Sequence, residues 1–163
     1  MDRELLTDEE FLSCLEEWWR ALDRNRGDRA ALRRAETPDD VFFCPVFQRG
    51  LLAVLAGKGH VFSHKDQYAL ALVAGLLAHV RSLRREEGAF PALLRAANGE
   101  SPQAGDIRFQ QLMASEDIQE RYGMARRLLT LLDGVASLRS LLELGCFWNG
   151  RTKRNWAITY YQN

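Results

Sequence analysis

The stretch that decides the fold is DQYALALVAGLLAHVRSL, Asp66 to Leu83. At helical periodicity Leu70, Val73, Leu77 and Val80 fall on one seam with Ala69, Leu72 and Leu76 beside it. The segment is therefore apolar almost all round and predicts a buried central helix. Its richest run, Tyr68 to Val80, is thirteen residues between Lys65 and Arg81, well short of the roughly 20 that a bilayer span needs. It reads as the core helix of a globular protein.

Upstream, Thr7 followed by Glu10 has the form of a capping box, after which Phe11, Leu15, Trp18 and Leu22 recur at spacings of four, three and four. The spacing predicts a first helix from about Asp8 to Leu22. Gly27 ends the turn after it, Ala30 to Ala35 form a short helix, and Thr37 before Pro38 is an N-cap with a first-turn proline. Pro45 can open a further helix through Leu55, which Gly57, Lys58 and Gly59 stop.

Downstream, Gly88 to Pro102 holds a short helix around Leu93, and Asn98 to Gly105 reads as a disordered polar loop. Asp106 is placed as the cap of a helix carrying Ile107, Phe109, Leu112 and Met113, and Ser115 as the start of the next, where Ile118, Tyr122, Ala125, Leu129 and Leu132 recur. Asp133 and Gly134 close that helix, and Ser137 to Phe147 and Gly150 to Tyr161 complete the set. Few stretches alternate with period two and none is bounded by hairpin turns. The fold class expected is all-α, a bundle of roughly eight or nine helices in one folding unit of 163 residues that two helical lobes can make up.

Charge narrows the function. The 22 basic and 22 acidic residues cancel, so no global positive field announces a nucleic-acid partner. Residues 1 to 17 nevertheless carry seven acids against Arg3 alone, which leaves a basic body of plus six over residues 18 to 163. Lys58, Lys65 and Lys153 are the only lysines; the rest are arginine, whose planar fork matches phosphate oxygens bidentately, although a GC-rich genome gives the same bias.

Catalytic and metal patterns are missing. Gly57, Lys58 and Gly59 lack the upstream glycine and the Ser or Thr of a phosphate loop. His60 and His64 have ligand spacing, but the glycines set His60 outside a helix and no third ligand follows. His79 reads as a core histidine, and Cys14, Cys44 and Cys146, far apart, as small core hydrophobes. The carboxylates of helix one face water or the helix start. No metal, cofactor or nucleophile set is expected, and the start Met1, Asp2, Arg3, Glu4 has no signal-peptide character, so the expected location is the cytoplasm.

The basic side chains form three clusters. Arg33 and Arg34 are one doublet; Arg126 and Arg127 are a second, with Arg127 opposite the buried stripe of its helix and Arg126 beside it; Arg151 and Arg154 share one face of the last helix, with Lys153 near them. Any one doublet is more often a solvated face. Trp148, Trp156, Tyr160 and Tyr161 can stack bases in principle, but their helical spacing favours core packing.

Three blocks carry a family likeness: LRRAETPDDVFFCPVFQRGL from Leu32 to Leu51, DIRFQQLMASEDIQERYGMARRLLTLL from Asp106 to Leu132, and FWNGRTKRNWAITYY from Phe147 to Tyr161. In this order, with an acidic first helix and an apolar central one, the chain resembles the CasB family, the small subunit of the type I-E CRISPR Cascade complex. The resemblance implies an all-helical fold with an N-terminal part (about 1–85) and a C-terminal bundle (about 86–163). It also implies a non-catalytic subunit that holds the R-loop and the displaced DNA strand through a basic surface while guide pairing reads the sequence. The implied partners are the large and backbone Cascade subunits, guide RNA, target DNA and a second copy of the chain. Carried over as nucleic-acid contacts are Arg33, Arg34, Arg126, Arg127, Arg151, Lys153 and Arg154, with Arg108, which can instead brace the bundle beside Phe109. Pro91 interrupts the segment Gly88 to Ala97 where the family's glycine-containing connection is sought, leaving the role of Arg95 open. The alternative function is a helical protein–protein adaptor whose arginines meet acidic partner surfaces.

Overall fold

The computed structural model describes residues 1–86, 89–99 and 102–162. Among them are ten α-helices, a 3-10 turn, a π-helix and one two-stranded sheet, so the fold is helical as expected, with a small strand pair that the sequence did not announce. None of these helices is long and apolar enough to cross a membrane. The chain divides into two compact units, Met1–Ala78 and His79–Asn163.

In the first unit a 3-10 turn (Arg3–Leu6) precedes α1 (Glu9–Arg24), α2 (Arg26–Arg34) and α3 (Pro38–Phe42). A π-helix (Val46–Leu51) then runs into α4 (Leu52–Gly57), and α5 (His64–Leu77) closes the unit. Thr7 is not the cap of α1. It ends the 3-10 turn, its hydroxyl donating to the Glu4 carbonyl at 3.0 Å, and Asp8 takes the capping role by accepting from the Phe11 N–H at 3.0 Å. Thr37 does cap α3, in a reciprocal box with Asp40; the Thr37 hydroxyl and N–H and the Glu36 N–H on its carboxylate hold the Asp40 pKa below the usual value.

The decisive helix is shorter than its apolar run. Ser63 caps α5, accepting from the Asp66 N–H at 3.2 Å, Leu70 to Leu77 are all buried, and the helix stops at Leu77 rather than Leu83. Two guanidinium groups from α2 converge on the carbonyl just past that end: Arg29 Nε donates to the Ala78 oxygen at 3.1 Å and Arg33 Nε at 2.8 Å. They satisfy an acceptor with no intrahelical partner and place positive charge at the negative end of the helix dipole. His79 lies beyond this stop and is half-buried, so it is not a residue of the helix core. Of the cysteines in this unit, Cys14 is buried, which pushes its thiol pKa up, and Cys44 is half-buried.

In the second unit β1 (Ser82–Arg84) is followed by α6 (Ala89–Ala97), α7 (Pro102–Ala114), α8 (Ile118–Leu131), β2 (Val135–Ser137), α9 (Leu138–Cys146) and α10 (Gly150–Gln162). β1 and β2 pair in parallel, Ser82 with Val135, Leu83 with Ala136 and Arg84 with Ser137. Three-residue strands give no readable alternation, so Leu83 reads as helical in the sequence although it lies in β1. The turn into β2 needs its glycine twice over. Gly134 has φ 74°, and a Cβ there would lie 2.9 Å from Arg81 Cγ and 3.1 Å from Arg81 N.

Several boundaries move for identifiable reasons. Pro91 does not break α6, because it sits in the first turn where no intrahelical N–H bond is lost; Gly88 lies outside the described residues. The stretch expected as a loop is helical from Pro102, the first residue of α7, so Asp106 is inside that helix rather than its cap; residues 100 and 101 lie outside the described residues. Ser115 turns its hydroxyl back to the Leu112 carbonyl at 2.6 Å, and Asp117 caps α8, accepting from the Glu120 N–H at 3.1 Å. The core holds Phe90, Phe109, Tyr122 and Trp156, with Phe109 stacked on Tyr160 at 3.9 Å between centroids. Trp156 donates its indole N–H to the buried Glu143 carboxylate at 2.6 Å. Trp156 and Tyr160 are therefore core side chains, whereas Tyr161 is exposed and Trp148 and Cys146 are half-buried.

Candidate nucleic-acid interface

α8 buries Tyr122, Ala125, Leu128 and Leu129, and helical periodicity then dictates where its arginines go. Arg127 is exposed, and Arg126, one position earlier, is half-buried with its guanidinium 5.6 Å from the Tyr122 ring centroid. On α7 the buried side chains Phe109 and Leu112 leave Arg108 exposed. Arg108 and Arg127 come together. With Gln111, Met124, Leu128 and Leu131 they line a cleft of about 480 Å³ whose walls include no carboxylate. Among the described residues neither guanidinium has an ion-pair partner.

The cluster at α10 is arranged differently. Asn149 caps this helix, its side-chain oxygen accepting from the N–H groups of Arg151 at 3.1 Å and Thr152 at 3.2 Å, while the Thr152 hydroxyl donates to the Phe147 carbonyl at 2.7 Å. Arg151 and Arg154 are exposed, and Arg154 lies back over Gly150, where a Cβ would be 3.2 Å from its Nη1. Lys153 is turned elsewhere. Its ammonium is 2.8 Å from the Glu116 carboxylate, which lowers the Glu116 pKa, and 5.7 Å from the Trp148 ring. Arg126, Arg151, Lys153 and Arg154 are not in the wall of the α7–α8 cleft.

In the first unit Arg34 is exposed at the end of α2, while Arg33 is tied by its Nε to the Ala78 carbonyl. Arg33 thus has a capping duty that the doublet did not reveal.

One further cation is not marked by the sequence pattern. Arg121, in the first turn of α8, is buried and donates to the Leu144 carbonyl at 2.8 Å and the Glu116 carbonyl at 3.4 Å, with its guanidinium 5.8 Å from the Trp148 ring. Burial pushes its pKa down, with Asp117 and Glu116 acting against that; an arginine so placed remains a cation. Trp148 in turn donates to the Ser115 carbonyl at 3.2 Å. Arg121, Trp148 and Lys153 therefore tie the α7–α8 turn to the start of α10. The spacing of an arginine with the α8 stripe could have marked Arg121 as buried, since it precedes Tyr122 and lies one turn before Ala125.

The sequence model of the family described as CRISPR-associated protein Cse2 matches residues 28–161. The chain belongs to this family. No curated protein and no solved structure matches it. The matched span takes in all three blocks, and in each the structure gives framework duties to residues that stand out: Thr37 and Asp40 in the first, Tyr122 in the second, Asn149, Thr152 and Trp156 in the third. Membership of the family, the small subunit of type I-E Cascade, implies a Cascade subunit in CRISPR defence.

Proposed function

We propose that this Cascade subunit is a non-catalytic holder of nucleic acid, stabilising the R-loop and the displaced DNA strand, with the α7–α8 cleft as its principal contact. The observation that carries the reading is the pairing of Arg108 and Arg127, neither with an ion-pair partner among the described residues, around a cleft without a carboxylate. A lone exposed arginine is ordinary. Two that line one concavity with an amide from Gln111 offer a phosphate chain charge and donors together.

The charge distribution between the units favours the same place. Residues 79–163 contain twelve arginines and lysines against nine acids, whereas residues 1–78 carry the acidic excess. Arg126, Arg151 and Arg154 would extend the contact from α8 and α10, and Arg34, in the first unit, would be a contact of its own. Arg33 and Lys153, already bonded within the chain, would contribute less per residue. Binding of this kind neutralises backbone charge without reading bases, so sequence selection stays with the guide, and the partners are the other Cascade subunits, guide RNA, target DNA and a second copy of the chain.

The test is DNA retention by the assembled complex. Reversing Arg126, Arg127, Arg151 and Arg154 to glutamate should abolish retention of the displaced strand while far-UV circular dichroism stays unchanged. Intact retention with intact helix content refutes the assignment. Intact assembly with no DNA effect would select the adaptor reading, in which the same arginines meet acidic protein surfaces.

A further inference from the structure

The α7–α8 cleft has walls that a phosphate chain alone does not use. Its donors are the guanidinium groups of Arg108 and Arg127 and the amide of Gln111, and the rest of its lining is Met124, Leu128, Thr130 and Leu131. Thr130 adds no free donor, because its hydroxyl donates to the Arg126 carbonyl at 3.2 Å. Leu128 is buried, but Leu131 is 43 % exposed and Met124 half-buried, so apolar surface stands open to water beside two cations. Arg127 lies back along α8 over Gly123, where a Cβ would be 4.0 Å from its Nη1, which keeps its charge at the cleft wall. The volume, about 480 Å³, is within the range of about 300–1,000 Å³ usual for sites that enclose a ligand, enough for a planar ring and not only for phosphate oxygens.

We propose that the cleft seats one unpaired base of the bound strand, the base lying on Met124, Leu128 and Leu131 while its flanking phosphates meet Arg108 and Arg127. The inference rests on the reading of this cleft as the nucleic-acid contact and adds the group recognised there. The occupant must carry negative charge, for two cations that have no ion-pair partner among the described residues, and an apolar face for the walls between them. A nucleotide with its base turned out has both within one repeat of the chain.

A duplex has the charge but keeps its base faces in the stack, and must break pairing and stacking to turn one out. The cleft thus favours single strand over duplex. Every base has a face of this kind, and guanidinium planes stack on bases as well as pairing with phosphates. Methionine is unbranched and polarizable and adapts to rings of different size, so the seat takes a base without selecting which. An acidic peptide with an apolar side chain also combines charge and face; membership in the Cse2 family, which implies a Cascade subunit, ranks the strand ahead of it.

The test compares two labelled strands with equal numbers of phosphates, one of thymidylate and one an abasic sugar–phosphate chain, binding the full chain in fluorescence anisotropy. The thymidylate strand should bind about fivefold more tightly, the lower end of what stacking one base contributes, because the walls hold no aromatic ring. Its salt slope should equal that of the abasic strand. Leu131→Ala combined with Met124→Ala should erase most of the ratio, and Leu131→Ala alone should reduce it, with circular dichroism as the check on folding. Equal affinities for the two strands in the wild type overturn the proposal, as does an unreduced ratio in both folded variants. So does displacement of the thymidylate strand by a peptide of glutamate and leucine with equal charge at the strand's own affinity, which assigns the walls to a protein segment. The phosphate reading fails by a different signal, a salt slope that Arg108→Gln with Arg127→Gln leaves unchanged. Equal strand affinities together with a flattened slope in that arginine variant sink the base seat alone.

Discussion

Replacing both Arg108 and Arg127 with glutamine removes two cations without adding negative charge, and the salt dependence of DNA binding reads how many phosphates they neutralised. Each phosphate contact on a single strand contributes about 0.7 to the slope of log affinity against log salt, so the double variant should be shallower by about 1.4. Between about 50 and 200 mM salt that difference amounts to roughly 0.8 log units, so the wild type should lose about sevenfold more affinity than the variant over that range. The assay is fluorescence anisotropy of a labelled single strand titrated with the full chain at a series of salt concentrations. The structure supplies the control. Lys153 and Glu116 form a pair at 2.8 Å, so changing both to glutamine leaves the local charge sum unaltered and should leave the slope where it was. The reasoning fails if the Arg108/Arg127 variant keeps the wild-type slope with its helix content intact, or if the Lys153/Glu116 variant flattens the slope equally.

Arg33→Ala should lower stability to urea by about 1 kcal/mol, because one of two donors on the Ala78 carbonyl is lost while Arg29 remains, and should change the salt slope less than Arg127→Gln does. Gly134→Ala should cost about 2 kcal/mol in chemical denaturation, since a side chain must adopt φ 74° and crowd Arg81; a loss no larger than that of a surface alanine refutes the steric account. Asp40 has its folded-state pKa lowered by the Thr37 and Glu36 bonds, so its contribution is present above the unfolded value, about 3.9, and is lost as pH falls through the lower folded one. Asp40→Asn should therefore be less stable than wild type at neutral pH, and the gap should close in acid; a gap that persists to the lowest pH counts against the capping box.

The helical class was legible because long amphipathic segments repeat every 3.6 residues, and Phe11, Leu15, Trp18 and Leu22 all proved buried on one face of α1. Ends were less legible, since caps compete locally: Asp8 displaced Thr7, Asp117 displaced Ser115, and Pro102 opened a helix that polarity and glycine had argued against. The strands were invisible because their partner lies far away in the chain. At the candidate site the wheel gave the outward direction of Arg127 on α8, but the meeting of Arg108 with Arg127 depends on how α7 packs on α8. Likewise no local pattern separates Arg33, engaged with Ala78, from Arg34, which is exposed.

The small parallel ladder has a consequence for how the second unit is assembled. Ser82 and Val135 are 53 positions apart, and closing a flexible loop of that length costs about 3.5 kcal/mol or more in chain entropy. Three register pairs, with the Arg81 and Ser82 N–H groups both donating to the Gly134 carbonyl at 2.8 and 3.2 Å, at about 1 kcal/mol net per hydrogen bond, offset little more than that cost, so the clasp depends on the packing of the helices that lie between its strands. Ser137 then ends β2 and caps α9 in the same residue, accepting from the Ser140 N–H at 3.3 Å. α9 thus takes its starting direction from the residue that ends the clasp, whereas α10 is anchored separately, with Trp156 against Phe90 of α6 at 5.7 Å between ring centroids and the Asn98 amide donating to the Tyr160 hydroxyl at 2.9 Å.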